Sequence, residues 1–386
     1  MNVLIFARFA NGKEASIMNS DFPLVSIANI ASKAEQIPPK ILRFMLQSAA
    51  RELLPYERVA KCLRAIVPTA QRVEIHKSKQ GKAAHYRNLL VCSRIWHCPI
   101  CASKISEERR KELSSAVAGW MGSVILVTFT MSHSNAEPLK SVLNSLLTAH
   151  RDLKSGNWFK EMSDYFGWNG SVKALEITHG KNGWHPHIHE LIFLTNKPNE
   201  DTLKRLEIAI TGRWRHCLKK ISKFASVERG VTLKTGDNAV GDYVSKFGDT
   251  KIKQDWTLSH EMTKQIVKRG KNDGQSPMQL LYDYMLGDKM SGKLWQEYAI
   301  VCKGKHQLVW SRGMRDILKI GSEQTDEEIG EKLPNDTYLL ASLTRGQWYD
   351  VLSHNAVGSI LLAAETKTEE DFKAWLTLTL ASYSEH

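Results

Sequence analysis

Two histidines that are two positions apart could hold a metal ion in this chain. His187 and His189 flank Ile188 within a run that is typical of a β-strand. Because successive side chains of a strand point to opposite faces, both imidazoles project from one face while Ile188 lies on the other. The sequence therefore predicts a paired imidazole site on the surface of a sheet.

A carboxylate upstream is placed to complete this site. Residues 180–183 read Gly-Lys-Asn-Gly, which is a strong signal for a hairpin. If the loop is symmetric about its two central residues, Glu176 lies opposite His187 on the same face, whereas a three-residue loop would turn Glu176 away. Three such ligands leave positions open for water or a phosphate oxygen, and they suit Mn²⁺ or Mg²⁺. His185 lies on the same face and is the alternative third ligand.

A tyrosine and a lysine further along the chain could supply a nucleophile. Tyr243 and Lys246 are three residues apart in a predicted helix at about 238–247, so they share one helix face. A tyrosine hydroxyl titrates near 10, and it needs a positive neighbour or a metal to attack at neutral pH. Lys246 could provide that charge or hold a phosphate.

Four cysteines have the spacing of a structural metal site. The Cys-Pro-Ile-Cys segment is a common half of a zinc site, and four thiolates would close a tetrahedron. The predicted zinc ligands are Cys62, Cys92, Cys98 and Cys101. His97 or His85 could replace Cys62.

Basic residues dominate the segment between the histidines and the tyrosine. Residues 202–234 contain nine lysines and arginines against two glutamates, with Trp214 inside this cluster and Phe224 next to Lys223. Cations interleaved with aromatic rings suit a single nucleic-acid strand, although a solvated helix face explains such a pattern about equally well. The predicted DNA-binding residues are Arg213, Trp214, Arg215, Lys219, Lys220 and Lys223.

The charge of the whole chain points to the same class of partner. The 386 residues carry 53 basic and 41 acidic side chains, for a net charge of +12 and a pI near 9.3. Nucleic acid is the commonest polyanionic partner of such a protein. Residues 114–136 lack charged side chains, but glycine, serine and threonine interrupt them. We therefore expect a soluble, cytoplasmic protein with no membrane partner.

The pattern of apolar residues predicts the elements that position these groups. Strands are predicted at about 124–131, 171–178, 186–194 and 226–234, and helices at about 137–153 and 200–222. The order β-α-β-β-α-β is the ferredoxin-like, RRM-like arrangement of an antiparallel sheet, so the fold class is α+β. The predicted parts are a helical extension at 1–57, a zinc-binding segment at 58–113, a catalytic domain at 114–254 and a mainly helical region at 255–386.

In combination, these motifs resemble the His-hydrophobic-His endonuclease superfamily, and within it the single-tyrosine rolling-circle replication initiators of bacterial plasmids. Residues 127–133 (VTFTMSH) look like the first motif of that family, 185–189 (HPHIH) the metal-binding motif, and 243–246 (YVSK) the nucleophile motif. Residues 96–101 resemble the amino-terminal region of the family, and residues 294–298 and 307–311 resemble a downstream segment of many members.

The resemblance implies a nickase specific for origin DNA. Tyr243 would attack a phosphodiester of single-stranded or hairpin origin DNA, leaving a 5′-phosphotyrosine and a free 3′-OH that primes synthesis. The implied partners are the plasmid origin, a host helicase and a host polymerase. A separate helicase is expected because the chain has no nucleotide-binding loop of the Gly-x4-Gly-Lys-Ser/Thr type. The alternative functions are a single-tyrosine transposase or mobilisation relaxase, and a non-catalytic zinc-dependent DNA-binding protein.

One position departs from the family pattern. Some members carry a glutamate one helical turn before the tyrosine, which activates water at termination, and Ala239 stands there in this chain. Asp237 or Asp249 could contribute from the flanking loops, or a second tyrosine such as Tyr282 or Tyr284 could act instead.

Overall fold

A computed structural model of the chain describes residues 5–8, 14–17, 37–226, 230–235, 241 and 274–384. The strands of these residues are β1 (Ile5–Arg8), β2 (Glu14–Ile17), β3 (Val73–Ser78), β4 (Ala84–Arg87), β5 (Ser123–Phe129), β6 (Trp168–Gly180), β7 (Gly183–Leu194), β8 (Val231–Lys234), β9 (Leu308–Trp310) and β10 (Thr337–Leu343). The helices are α1 (Pro39–Leu53), α2 (Pro99–Ala118), α3 (Leu139–Leu153), α4 (Gly156–Phe166), α5 (Glu200–Lys220), α6 (Pro277–Met285), α7 (Lys289–Cys302), α8 (Met314–Leu318), α9 (Asp326–Glu331), α10 (Arg345–Ser353), α11 (Val357–Thr366) and α12 (Glu369–Ser384).

The main sheet contains the predicted β-α-β-β-α-β series. Within the described ranges its strand order is β8-β5-β7-β6-β9, and every neighbouring pair is antiparallel. The first four of these strands form the predicted split βαβ arrangement. The sequence did not predict α4, which precedes β6, or β9, which joins the β6 edge from the region predicted as mainly helical. The α+β fold class is confirmed.

The β6–β7 hairpin has the predicted register. Gly180 pairs with Gly183 around a two-residue loop, and Glu176 lies directly opposite His187. Gly183 adopts a φ of +83°, and a Cβ atom at this position would lie 2.8 Å from the Cα atom of Asn135. Glycine is therefore required here both by the turn and by the close approach of the chain that follows β5.

The two faces of the main sheet have different coverings. On one face, Val127 and Ile188 belong to a core that includes the apolar side of α3 and α5. On the other face, Leu126 and Leu191 pack with Leu113 of α2 and with β9. The metal-site histidines continue this second face along β7, because they alternate with Ile188.

A cluster of charged side chains lies on the sheet face that α3 and α5 cover. Glu190 is fully buried, and it accepts hydrogen bonds from His150 at 2.8 Å, from Lys154 at 2.5 Å and from Ser171 at 2.6 Å. Burial would raise the pKa of Glu190, but the nearby Lys154 and His150 outweigh it and hold that pKa below its usual range. Glu190 therefore stabilises the packing of α3 on the sheet and faces away from the histidine pair.

A second sheet joins the two ends of the described chain. β10 pairs with β3, and β3 pairs with β4, so a strand from the last fifty residues lies in the sheet of the predicted cysteine-rich segment. α10, α11 and α12 cover this sheet and form a separate core with it. Two short strands, β1 and β2, stand in the extension that was predicted as helical, whereas α1 agrees with that prediction.

Among the described residues, no helix is both long and apolar enough to cross a bilayer.

Candidate metal centres and nucleic-acid interface

Glu176, His187 and His189 converge on the exposed part of the main sheet. The Nε2 atoms of His187 and His189 lie 3.0 Å and 2.8 Å from the same carboxylate oxygen of Glu176. The side chain of Glu176 is 49% exposed, whereas those of His187 and His189 are 13% and 11% exposed. The predicted ligand set is thus brought together, with its open side at the carboxylate.

Neighbouring side chains orient these imidazoles. Thr128 of β5 lies opposite His189, and its hydroxyl is 2.9 Å from Nδ1 of that ring. His185 Nδ1 lies 2.8 Å from His133 Nε2, and His133 Nδ1 donates to a backbone carbonyl of the hairpin loop at 2.9 Å. The Thr128 contact is of the kind that fixes the ring orientation and the tautomer of a metal-binding histidine, whereas the His133 contact holds the neighbouring His185.

The chemistry of the three groups fits a divalent cation. One ligand atom from each of Glu176, His187 and His189 lies within 4.8 Å of the other two. Partial burial acts to raise the pKa of Glu176, but hydrogen bonds from the two histidines outweigh it, so that this pKa lies well below its usual range and the carboxylate is ionised. Two imidazoles and one carboxylate would hold Mn²⁺ or, less ideally, Mg²⁺.

His185 lies outside this convergent set. Burial, and then the neighbouring His187 and His133, lower the pKa of His185 to about 4, so its ring is neutral at pH 7. A neutral ring could bind a metal, but His185 is not part of the group whose ligand atoms all lie within 4.8 Å of one another, so the geometry favours Glu176 as the third ligand.

The four predicted cysteines form a single buried cluster. The Sγ atom of Cys101 lies 3.7 Å from that of Cys62 and 3.5 Å from that of Cys92, and Cys98 Sγ lies 3.8 Å from Cys62 Sγ. These separations are far longer than a disulfide bond of about 2.05 Å. They match the edge of about 3.8 Å of a tetrahedron with Zn–S bonds of about 2.3 Å. The cluster could therefore hold one metal ion.

Hydrogen bonds support the sulfur atoms of this cluster. Gln47 of α1 donates to Cys98 Sγ at 3.4 Å, and the backbone N–H of Cys92 donates to Cys62 Sγ at 3.4 Å. The proposed substitute ligand His97 instead contacts the carbonyl of Ala299 at 2.9 Å. No histidine is needed to complete the set of four thiols.

The predicted DNA-binding residues divide between the surface and the core. Arg215, Lys219 and Lys220 are exposed on α5. Trp214 is fully buried and donates from its indole to the carbonyl of Thr130 at 2.9 Å. The prediction that Trp214 stacks on a base is therefore wrong, because its position on α5 faces the sheet.

The remaining two predicted contacts are engaged within the protein. Arg213 donates to backbone carbonyls of the α3–α4 turn and lies 5.1 Å from the ring centre of Trp158. Lys223 forms an ion pair with Glu137. The exposed aromatic ring of this region is that of Phe224, which is 71% exposed, and its carbonyl accepts from the backbone N–H of Ser132 at 2.7 Å.

The predicted nucleophile falls outside the described part of the chain. Tyr243, Lys246 and Ala239 are not among the described residues, and neither is most of the helix predicted at about 238–247. The preceding strand, β8, is described and pairs with β5 beside Thr128.

Sequence reasoning assigned no role to three residues that support the site. Thr128 and His133 lie in residues 127–133, which the sequence analysis compared with the first motif of the family without giving either side chain a role. Glu297 of α7 accepts from the indole of Trp184 at 2.9 Å and from the first backbone N–H of α3 at 2.8 Å. Each contact joins segments that are distant in sequence, so no local signal could have revealed it.

An α+β fold that carries a two-histidine, one-carboxylate centre on an open antiparallel sheet defines a class of candidate metal-dependent proteins. Comparison with known proteins narrows this class. Residues 83–220 match the family model described as "Replication protein". A protein from Streptomyces lividans named "Protein rep" is 24% identical over 308 residues, which cover 62% of this chain and 66% of that relative. The predicted resemblance to replication proteins is thereby confirmed.

A second relative has a different name, and no structural neighbour was found. A "Neomycin resistance protein" from Streptomyces cyanogenus is 28% identical over 176 residues, which cover 34% of this chain and 39% of that relative. The chain thus spans less than two thirds of the length of both relatives. No solved structure matches the chain.

Proposed function

We propose that the protein initiates rolling-circle plasmid replication by nicking one strand of the origin and rejoining it later. The observation that carries this proposal is the convergence of Glu176, His187 and His189 within a segment that matches replication proteins. Three protein ligands on an exposed sheet face leave room for a phosphate oxygen of DNA. A divalent cation held there would act as a Lewis acid toward the scissile phosphate.

Tyr243 is the proposed nucleophile. Its hydroxyl oxygen would bond to the phosphorus while the bond to the 3′ oxygen breaks, which leaves a 5′-phosphotyrosine and a 3′-OH. Lys246 would favour loss of the phenolic proton by its charge. Eight residues lie between Lys234 at the end of β8 and Tyr243, and the nine residue steps between the two can span at most about 32 Å. Because β8 pairs with the strand of Thr128, this length suffices to reach the metal centre.

The basic end of α5 supplies a path for the DNA strand. Lys219 and Lys220 occupy its last turn, and the carbonyl of Phe224, four residues further on, accepts from the backbone N–H of Ser132, the residue before His133. His133 contacts His185, whose ring centroid lies 5.3 Å from that of His187, so this path leads toward the metal centre. The proposed partners are plasmid origin DNA in the bacterial cytoplasm and a host helicase and polymerase. The two replication-protein matches favour an initiator over a transposase, a relaxase or a non-catalytic DNA-binding protein.

Phe224 replaces Trp214 as the proposed stacking residue. We expect Phe224→Ala to weaken binding of single-stranded origin DNA by 1–3 kcal/mol, or about 5- to 150-fold, because the exposed ring would lose its stacked base. Fluorescence anisotropy with a labelled oligonucleotide measures this change. Tyr349→Ala is the matched control, since this ring is also exposed but lies on α10. Equal losses in both variants would contradict a stacking role.

Glu176→Gln tests the metal centre. Loss of the carboxylate charge should lower Mn²⁺ affinity at least about 10-fold, and metal-dependent cleavage should fall with it. Calorimetric titration with Mn²⁺ gives the affinity, and circular dichroism verifies that the variant is folded. Glu161→Gln removes an exposed glutamate on α4 and should change neither quantity. Unchanged metal dependence in Glu176→Gln would transfer the third-ligand role to His185.

The function itself is tested with a labelled single-stranded oligonucleotide of the origin. The full chain and Mn²⁺ or Mg²⁺ should give a shorter strand with a free 3′-OH and a protein–DNA adduct that survives denaturing electrophoresis. A scrambled oligonucleotide and a reaction with chelator should give neither product. Binding of the origin without cleavage under all metal conditions would instead support the non-catalytic alternative.

A further inference from the structure

One face of α5 is exposed along most of the helix. Its exposed residues recur every three or four positions and form a single ridge, which we call the α5 ridge: Lys204, Arg205, Ile208, Gly212, Arg215, His216 and Lys219. Leu206, Ile210 and Trp214 lie on the opposite side of the helix and are buried against the main sheet. Because the metal-site histidines occupy the other face of that sheet, the α5 ridge is a surface separate from the metal centre.

The α5 ridge carries positive charge at two places. Lys204 and Arg205 lie near its start and Arg215 near its end, and the rise from Arg205 to Arg215 is about 15 Å along the helix axis. The exposed acidic residues of α5, Glu200 and Asp201, both lie in its first turn, where they complement the helix dipole. Asp201 pairs with Arg205 at 2.9 Å, but the two side chains are 70% and 63% exposed, so this ion pair is weak. Among the described residues, Lys204 and Arg215 have no ion-pair partner, so both are available to an anion.

The centre of the α5 ridge is uncharged. Ile208 is 72% exposed. A Cβ atom at Gly212 would meet nothing within 4 Å beyond the local helix backbone, so no internal contact requires glycine there. Glycine lowers the stability of an exposed helix interior relative to alanine, and its missing side chain lets another molecule come close to the helix backbone. An apolar side chain beside bare backbone therefore favours a partner that packs closely on the middle of α5.

These features match the major groove of duplex DNA. The groove is about 12 Å wide, accommodates an α-helix and is bordered by phosphates on both sides. Cations about 15 Å apart on one ridge can contact the phosphates of both borders, while the uncharged centre lies at the base edges. A single strand is less suited, because such strands are held by exposed aromatic rings, and the one Phe, Tyr or Trp of α5, Trp214, is buried.

We propose that the α5 ridge binds duplex DNA in its major groove, with Lys204, Arg205 and Arg215 at phosphates and with Ile208 and Gly212 at the base edges. The identity of this duplex as part of the plasmid origin rests on the proposed function in replication. Ile208 would contact an apolar edge such as the methyl group of thymine. Because the ridge and the metal centre lie on different sides of the sheet, this duplex is a different part of the DNA from the strand that is nicked.

Gly212→Leu tests this proposal. A leucine on the ridge would hold the helix away from the bases, so the affinity for duplex DNA should fall at least about 10-fold. Because leucine is also a better helix former than glycine, the variant should unfold at the same or a higher temperature. Fluorescence anisotropy of the full chain with a labelled duplex of the origin, without added Mn²⁺ or Mg²⁺, measures the affinity. Equal affinity of Gly212→Leu and wild type would overturn the proposal.

Removal of single charges gives an independent measurement. Lys204→Gln and Arg215→Gln should each weaken duplex binding by about 5- to 10-fold and reduce the salt dependence of the logarithm of the affinity by about one phosphate contact. Lys82→Gln is the matched control, since it removes an exposed lysine from the turn between β3 and β4. If Lys82→Gln lost as much affinity as the two ridge variants, the positive charge of the whole chain would explain the binding and the ridge would not.

A labelled single strand of the same sequence separates the two kinds of DNA. Gly212→Leu should weaken binding of the duplex more than binding of the strand, and an equal loss with both probes would contradict a major-groove contact. Nicking of the strand by wild type with Mn²⁺ is measured separately. A protein that nicks but binds duplex independently of the ridge would disprove this inference alone, whereas ridge-dependent duplex binding without nicking would disprove the proposed function alone.

Discussion

Tyr243→Phe should form no covalent adduct with origin DNA, and its strand cleavage should fall by at least about 10³-fold. The substitution removes one oxygen atom, so DNA binding and Mn²⁺ binding should remain at the wild-type level. The proposed metal centre is built from other residues, on β6 and β7. Denaturing electrophoresis with a 3′-labelled oligonucleotide measures the adduct, and anisotropy measures binding in the same preparation.

Two other tyrosines provide matched controls. Tyr282 is 4% exposed, and burial raises its pKa. Burial, followed by a hydrogen bond with Glu52, raises the pKa of Tyr284 to about 12. Both hydroxyls are therefore poor sources of a phenolate, and Tyr282→Phe and Tyr284→Phe should keep full adduct formation. An adduct that persists in Tyr243→Phe would place the nucleophile elsewhere.

Because burial raises the pKa of both hydroxyls, Tyr282 and Tyr284 are also disfavoured as nucleophiles in the step that ends replication. Asp237 and Asp249 lie outside the described residues, as does Ala239.

Cys98→Ala should release the bound zinc that we propose for the cysteine cluster and destabilise the protein by about 4–5 kcal/mol or more. The cluster joins four sulfur atoms from segments up to 39 residues apart. Gln47 attaches α1 to it as well. Without the ion, three buried thiols would remain with no ligand to hold them in one position. Elemental analysis should find one equivalent of zinc in wild type and none in Cys98→Ala, and thermal unfolding should show the loss of stability.

Cys302→Ala is the control for this substitution. Cys302 is equally buried but lies outside the cluster, so its removal costs only a small cavity and should leave the zinc content unchanged. Treatment of wild type with a strong chelator should reproduce the effect of Cys98→Ala. A wild-type protein that contains no zinc and unfolds at the same temperature as Cys98→Ala would contradict a structural metal.

Features that depend on neighbouring residues could be predicted from the sequence, whereas features that depend on contacts between distant segments could not. The β6–β7 hairpin and the convergence of Glu176 with His187 could be predicted, because a two-residue loop fixes the register of the strands that it joins. The exposure of Trp214 could not be predicted from its basic neighbours, because the rotation of α5 about its axis is set by packing against the sheet. A short strand such as β9 also lacks a local pattern long enough to be distinguished from a loop.

The sequence by itself determined the ligand types, their local spacing and the α+β order of elements that carries them. Only the tertiary structure decided which distant groups support them: Thr128 beside His189, His133 beside His185, and a strand from beyond residue 300 at the edge of the sheet. The physical reason is that alternation along a strand and the geometry of a tight turn are properties of a few consecutive residues. Pairing between distant segments depends instead on how all the apolar surfaces of the chain are buried together. The histidine pair and its carboxylate are thus local features, whereas the environment that orients them belongs to the whole fold.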